Sequence, residues 1–375
     1  MQGHIRQRSR GSWTVIVDLG RDPATGKRRQ IWRSVKGSKR EAKALLVELL
    51  HQKSTGLDAP SGKLTVAEFL QQWLKAYALP NTAPRTYLRY EQHVRVHLVP
   101  ALGSIPISKL RPLHIQDAYQ RIRDKGLAAK TVLQCHRVLR KALQHALKWQ
   151  LLARNPADAV ESPRPERYEV PVLSPQKVRG VVAAAERTRY GALVNTAVMT
   201  GLRLGELLGL RWQDLDLDAS VLRVRQTCQW IPRQGFIFGQ PKSFRSARPV
   251  ALSVATVERL RLHRLQQIEE RLAAGLAYSD EGLVFTSTAA QPVHPSTLRG
   301  AWRRLAKEAG LSRLRFHDLR HAHASLLLQQ GVHPKIVSER LGHSGVNITL
   351  DTYSHVLPGL QAEAVARLDD LLANG

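Results

Sequence analysis

The stretch HDLRHAHASLLLQQGV, residues 317–332, decides how this chain is read. It lies in a run of helices extending from residue 296 or so to the end, so His317 and Arg320, three positions apart, share one helical face. Two further clusters flank it. In TGLRLGELLGLRW, residues 200–212, glycine interrupts an apolar helix and leaves Arg203 at the break. In LGHS, residues 341–344, His343 precedes Tyr353 by ten positions. A neutral substrate has little use for this set, whereas a scissile phosphodiester needs these residue types. Its transition state concentrates negative charge on the non-bridging oxygens, which arginine forks bind bidentately without losing their own charge. Arg203 and Arg320 fit that role. A phenol becomes a usable nucleophile once its proton is removed or its anion is stabilised by cations, and histidine is the side chain suited to proton traffic near neutral pH.

Toward the N-terminus, the segment carrying these clusters begins at Ser174, an N-cap followed by Pro175 at the first helical position. Over residues 174–375 it mixes helices with short strands expected near 221–231, 235–240, 247–252 and 282–286, an α+β domain. Residues 157–173 form a proline-rich linker, and the stretch from Pro163 to Pro175 would span roughly 35 Å when extended, ample to pass around a duplex. Residues 63–156 read as a helical domain. Thr65 and Glu68 make a capping box for a helix over Val66–Tyr77, and further helices are expected at 84–98, 112–125 and 129–150. On the last of these, Val132, Cys135, Leu139, Leu143, Ala146 and Leu147 recur at helical spacing. Residues 1–60 read as a small module: a strand at 13–19, a turn at 22–26, a return strand at 28–35, and a helix opened by the Ser38/Glu41 capping box and running through Leu50.

With 375 residues the chain suits two or three domains. Its 57 Lys+Arg against 30 Asp+Glu leave a net charge of +27. A polyanionic partner follows, because each neutralised phosphate releases counterions. Charge alone fits DNA, RNA or anionic lipid. The strand pair edged by Arg28, Arg29, Arg33 and Trp32 has the shape to lie in a DNA groove. Arg85, Arg89, Lys130, Arg137 and Lys141, with Arg95, Arg140 and Lys148, stud the polar faces of the helical domain and are candidate phosphate contacts. Cys135 and Cys228 sit far apart in unrelated contexts, which excludes a disulfide framework or a cysteine-based zinc site and points to a reducing compartment. Neither an apolar leader nor an apolar run of about 18 residues occurs, so a cytoplasmic protein without a membrane partner is expected. His317, His321 and His323 raise the question of zinc, but no HExxH pattern or convergent carboxylate accompanies them, and no metal is expected. Glu206 and Asp318 adjoin the clusters and are read either as partners orienting them or as helix-terminal carboxylates.

The strings TGLRLGELLGLRW, HDLRHAHASLLLQQGV, ERLGHS at 339–344 and TLDTYSHV at 349–356 resemble the boxes of the tyrosine recombinases, the family of phage and mobile-element integrases. Residues 64–156, with HVRVHLVPALGSIPISKL at 93–110 and Arg154-Asn155-Pro156 at the close, resemble that family's helical core-binding domain. Residues 13–50 resemble its arm-binding domain. The resemblance implies a multidomain, mainly α protein: a small β-sheet-plus-helix module, a helical core-binding domain and an α+β tyrosine-recombinase catalytic domain. It implies a catalytic set of Arg203, Lys242, His317, Arg320, His343 and Tyr353. Lys242 comes from QPKSFRSAR, residues 240–248, similar to the family's strand-turn box in which a mobile lysine protonates the leaving 5′ oxygen. Tyr353 would attack phosphorus to leave a 3′-phosphotyrosyl bond, with His317 assisting proton transfer and His343 hydrogen-bonding the phosphate.

The same resemblance implies integration or excision of a phage or mobile element without ATP, metal or other cofactor, by a homotetramer on double-stranded attachment-site DNA. An excision factor and a DNA-bending host protein are partners of the kind such enzymes use. A chromosome-dimer resolvase is the nearest alternative, but such proteins usually lack the basic N-terminal module. A type IB topoisomerase shares the tyrosine chemistry without separate arm-like and core-binding modules. A non-catalytic DNA-binding regulator is disfavoured by the intact set. The tail beyond Pro358, with Leu360, Ala364, Leu368 and Leu371, reads as a helix packing on its own or a neighbouring protomer.

Overall fold

Val15 and Val17 alternate toward one face of an extended segment and are fully buried, which makes that segment the centre of the N-terminal sheet. This strand, β2 (Ser12–Arg21), pairs antiparallel with β1 (Gly3–Ser9) on one side and β3 (Arg28–Lys36) on the other. The register sets Ile5 opposite Val15 and Ile31 opposite Val17. Helix α1 (Lys39–Ser54) buries Ala42 and Leu49 against Val15 and Val17. It opens on the expected box: the Ser38 amide donates to Glu41 at 2.7 Å and the Glu41 amide to the Ser38 hydroxyl at 3.3 Å. Strand β1 was not legible, since Ile5 is its only apolar residue and it is held as an edge by main-chain pairing. The computed structural model describes residues 3–21, 26, 28–54, 64–166, 173–241, 246–275, 281–353, 365–366, 369–370 and 372–373. The turn expected at 22–26 lies outside them except for Gly26, as do Leu360, Ala364, Leu368 and Leu371 of the tail.

The chain divides into two compact units, residues 1–167 and 168–375. Besides the sheet module, the first holds a helical cluster around Phe69, Leu70, Trp73, Leu98, Leu102, Ile115, Leu139 and Leu143. Helix α2 (Val66–Trp73), capped by Thr65 and Glu68 as expected, runs through a π-helical segment, Leu74–Ala78, into α3 (Leu79–Asn81). Helix α4 (Pro84–His93) runs likewise through Val94–Leu98 into α5 (Val99–Leu102). The sequence reading ended these helices at Tyr77 and residue 98. Each continues because the backbone widens to five-residue hydrogen bonds, Leu79 to Leu74 and Val99 to Val94, just ahead of Pro80 and Pro100. In a regular α-helix those rings would press on a carbonyl one turn back. Helices α6 (Pro112–Asp124) and α7 (Ala129–Lys148) complete the cluster. Asn155 caps the following turn, accepting from the Ala157 amide at 3.0 Å and donating to the Arg140 carbonyl at 3.1 Å.

In the second unit, Ser174 caps α8 (Pro175–Glu186) as expected, followed by α9 (Gly191–Thr200) and α10 (Leu204–Leu208). Strands β4 (Leu215–Asp216), β5 (Val221–Val224) and β8 (Arg248–Ala251) form one antiparallel sheet, and β6 (Thr227–Ile231) and β7 (Gly235–Gly239) a separate hairpin. The single strand expected over 221–231 thus breaks at Arg225-Gln226, where the Gln226 amide group reaches the Gly209 carbonyl at 2.9 Å. The strand expected at 282–286 is a correction. Leu283, Val284 and Phe285 are buried, but only isolated bridges, Leu283 with Arg211 and Thr286 with Pro292, involve this run. The apolar run fills the core without building a ladder. Helices α11 (Val254–Ala274), α12 (Pro295–Glu308), α13 (Asp318–Gln329), α14 (Pro334–Leu341) and α15 (Val346–Tyr353) follow. The main core gathers Leu193, Leu207, Leu222, Val284, Trp302 and Leu319, while Ala324, Leu328, Val337, Leu341 and Tyr353 make a smaller one under the site. Among the described residues no helix is long and apolar enough to cross a membrane.

Candidate active site

Helix α9 ends on Gly201 in the left-handed region, φ 64°. A Cβ there would lie 2.6 Å from Leu341 and 2.7 Å from His323, so glycine supplies both the turn and the close approach. The Gly201 carbonyl accepts from Arg320 Nη1 at 2.8 Å. Two residues on, Arg203 stands at the N-cap of α10, where the Glu206 carboxylate accepts from its amide at 3.0 Å and from its Nη1 at 2.8 Å. Arg203 Nη2 donates to the Gly342 carbonyl at 3.2 Å, next to His343. Side chain-to-carbonyl bonds therefore tie together the three clusters singled out in the sequence.

A further arginine joins them. Arg248, at the start of β8, is buried and donates to Glu206 at 3.2 Å, to the Arg340 carbonyl at 2.6 Å and to the Ser246 carbonyl at 2.9 Å. Burial raises the pKa of Glu206, but Arg248 and Arg203 outweigh it and hold the carboxyl below its usual range. One carboxylate thus faces Arg203, Arg248 and Arg320. Arg320 is 4% exposed, and burial, with Arg203 next, pushes its pKa down to about 9. Its buried Nη2 has no hydrogen-bond partner among the described residues. Surplus positive charge with a spare donor is a site for an anion. Glu206 is therefore the orienting partner that the sequence left open. Asp318 is not: its carboxylate accepts from the Arg315 amide and guanidinium, both at 2.8 Å.

The histidines divide by what they touch. His317, at the N-cap of α13, keeps an exposed edge, yet crowding protein and Arg320 lower its pKa. His343 Nδ1 lies 2.8 Å from the Thr349 hydroxyl, and burial, then Arg320, pushes its pKa to about 4. His321 Nδ1 lies 2.7 Å from the Tyr353 hydroxyl. Burial and His317 push His321 to about 4 as well. Tyr353 is 1% exposed, and burial, opposed by Arg320, pushes its phenol up to about 12. His323 has both nitrogens engaged, by the Val198 carbonyl at 2.8 Å and by Arg340 Nε at 3.1 Å. Among the described residues, the donors close enough to share an ion lie elsewhere, in the helical unit: His93, His97 and Cys135, within 4.8 Å of one another. There burial holds the Cys135 thiol protonated, pushed up to about 12, and it sits 3.5 Å from His93 Nδ1.

The remaining sequence candidates are scattered. Lys242 lies outside the described residues, as does the Arg29 side chain. Arg28 is exposed and ion-paired to Asp18 at 2.8 Å, and Arg33 is exposed on β3. Arg85 and Arg89 are exposed on α4, as are Lys130 and Arg137 on α7. Lys141 is half-buried, with its ammonium 5.3 Å and 5.5 Å from the rings of Tyr77 and Tyr90. Arg137, Arg140, Lys141 and Lys148 line one groove. Sequence reasoning missed Arg248 and the contact of His321 with Tyr353. The available signal for His321 was its spacing, one turn beyond His317 on the same face; their rings meet edge to face at 5.1 Å.

Comparison with known proteins matches residues 171–359 to the pattern described as the phage integrase family, 65–122 to the N-terminal SAM-like domain of phage integrases, and 5–53 to an arm DNA-binding domain. A protein named as a XerC-like tyrosine recombinase from Caldanaerobacter subterraneus is 31% identical over 96% of each chain. An integrase of Streptomyces ambofaciens is 32% identical over 98% of this chain and 95% of its own. Among solved structures, the Tn1549 transposon integrase in complex with a circular intermediate DNA superposes with a TM-score of 0.71 at 21% identity, over 81% of this chain and 99% of that one. The lambda integrase tetramer bound to a Holliday junction gives 0.59 at 20% identity, over 93% and 94%. At these identities the two structures speak for the fold.

Proposed function

The chain belongs to the phage integrase family, and from that premise we propose that it is a site-specific DNA recombinase which integrates and excises a mobile element through a 3′-phosphotyrosyl intermediate on Tyr353. The observation that carries this reading is Arg320: buried, with an unsatisfied donor, beside Arg203 and Arg248 and close enough to Tyr353 to stabilise its phenolate. A scissile phosphate seated there accepts a hydrogen bond from the free Arg320 Nη2 on one non-bridging oxygen and from Arg203 on the other, and His343 adds a further hydrogen bond. Tyr353 Oη attacks phosphorus as a histidine of the site takes its proton, the bond to the 5′ oxygen breaks, and Lys242 supplies the proton that the departing oxygen takes up. Phosphotyrosyl linkage conserves the energy of the broken ester, so rejoining to a new 5′ hydroxyl needs no ATP.

In this reading residues 1–60 are an arm-type DNA-binding module, 63–156 a core-type DNA-binding domain, 157–173 the linker and 174–375 the catalytic domain. Arg28, Arg29 and Arg33 serve the first, and Arg85, Arg89, Lys130, Arg137 and Lys141 the second. The match of residues 5–53 to an arm DNA-binding domain favours an integrase of a mobile element over a chromosome-dimer resolvase. Four protomers acting on two attachment sites, with an excision factor and a DNA-bending host protein as accessory partners, complete the proposal. The test is incubation of wild type and Tyr353→Phe with labelled DNA from the ends of the resident element, nicked to trap the intermediate. A covalent adduct on a denaturing gel in wild type and none in the variant, both binding the DNA, is the expected result. Binding by wild type without any adduct would turn the assignment toward a non-catalytic regulator.

A further inference from the structure

We propose that His321, and not His317, takes the proton from Tyr353 when the phenol attacks. The inference rests on the recombinase reading above and adds an assignment that the sequence motifs do not make. The box sets His317, at the N-cap of α13, three positions before Arg320, and the family resemblance gives His317 the part in proton transfer. In the structure the Tyr353 hydroxyl meets His321 Nδ1 at 2.7 Å, with ring centroids 5.7 Å apart. His317 makes its ring contact with His321 instead, edge to face at 5.1 Å.

The surroundings hold His321 in the unprotonated form that an acceptor needs, and the negative charge of a bound phosphate offsets the cations that otherwise weaken it as a base. Around the His321 ring stand His317, Asp318, Arg320 and Arg315 from its own helical region and Tyr353 from α15. Burial and the neighbouring cations keep the imidazole neutral at physiological pH, so Nδ1 offers a lone pair in the tautomer that carries its proton on Nε2. The phenol is 1% exposed, which leaves water little access to act in place of the histidine. As the Oη–P bond forms, the phenol oxygen becomes far more acidic and its proton moves to His321 Nδ1. The P–O5′ bond breaks, the 5′ oxygen is protonated by Lys242, and the negative charge on the non-bridging oxygens is held by the arginines. When a 5′ hydroxyl returns to attack the phosphotyrosine, its proton passes to Lys242, the P–Oη bond breaks, and His321 hands the proton back to the departing Tyr353. His343, bonded to Thr349 at 2.8 Å, is left to the phosphate.

The experiment measures single-turnover adduct formation on nicked attachment-site DNA. The full-length protein is used with either tyrosine or 3,5-difluorotyrosine at position 353, each in wild-type and His321→Ala backgrounds. Wild type against Tyr353→Phe settles separately whether Tyr353 is the nucleophile at all. With tyrosine, His321→Ala is expected to slow adduct formation by roughly 100-fold or more while DNA binding holds, the usual scale of a lost general base. With the more acidic difluorotyrosine the same substitution is expected to cost less than about a tenth as much, because a more acidic phenol gives up its proton with less help from a base. An undiminished rate in His321→Ala overturns the proposal, and so does a defect of equal size with both tyrosines, which is what a structural role would give. If His321→Ala does not fold, His321→Gln, which keeps the hydrogen bond without accepting a proton, is put through the same comparison.

Discussion

Glutamine at position 206 would keep the shape of the buried side chain and remove the one negative charge that the arginine cluster is built around. Glu206 and Arg248 have side chains 2% and 6% exposed, and the carboxylate also receives two bonds from Arg203. Removing one partner of a buried ion pair costs about 3–5 kcal/mol, most of it from the charge left unpaired. Glutamine retains one acceptor oxygen, so the low end, about 3 kcal/mol, applies to Glu206→Gln and the high end to Glu206→Ala. For a unit of this size each kcal/mol lowers the melting temperature by about 2–4 °C, so Glu206→Gln is expected to melt roughly 6–12 °C below wild type. Phosphate supplies the missing charge, so saturating duplex DNA should narrow that gap. Scanning calorimetry at pH 7 with and without duplex reads both quantities. A glutamine variant melting within about 2 °C of wild type in the absence of DNA would refute the view that this carboxylate neutralises the cluster.

Three further outcomes follow from the same geometry. Gly201→Ala forces a side chain into φ 64° and against Leu341 and His323, so a loss of at least about 1–2 kcal/mol is expected in denaturant unfolding, with Arg320 displaced from the Gly201 carbonyl; unchanged stability would contradict that packing. His321, His323 and His343 are pushed from the ordinary imidazole range to about 4, 3 and 4. The unfolded chain therefore binds protons first, and the stability these groups contribute, full above about pH 6.5, should fall as pH drops from there toward 4. A melting temperature that stays level or rises between pH 6.5 and 5 would count against the buried neutral histidines. Arg137→Ala should weaken DNA binding about equally on all sequences and reduce the slope of log affinity against log salt by about 1, whereas an unchanged slope would remove Arg137 from the phosphate contacts.

What the sequence disclosed was local. Capping boxes such as Thr65 with Glu68, the Ser174-Pro175 start and the apolar spacing along α7 each concern residues within a turn or two of one another, and each stands in the structure. The clusters at 200–206, 317–320 and 341–343 were recognisable for the same reason. Opaque features were those fixed by partners far along the chain. Glu206 is 42 positions from Arg248, and His321 is 32 from Tyr353, so nothing in either neighbourhood announces the contact. Strand β1 lacks an apolar pattern because its stability comes from pairing with β2. The π-segments were hidden because proline reads as a stop, while here the backbone widens around it. The run at 282–286 looked like a strand because buried apolar residues do so whether or not a ladder accompanies them.

The most direct test of the central claim is to identify the amino acid that carries the DNA. Wild-type protein is trapped on a nicked attachment site, digested with nuclease and protease, and the adducted peptide is sequenced by mass spectrometry. The expected result is a nucleotide remnant joined through a 3′ phosphate to Tyr353 in the peptide spanning α15. A remnant on any other side chain, or one joined through a 5′ phosphate, would contradict it.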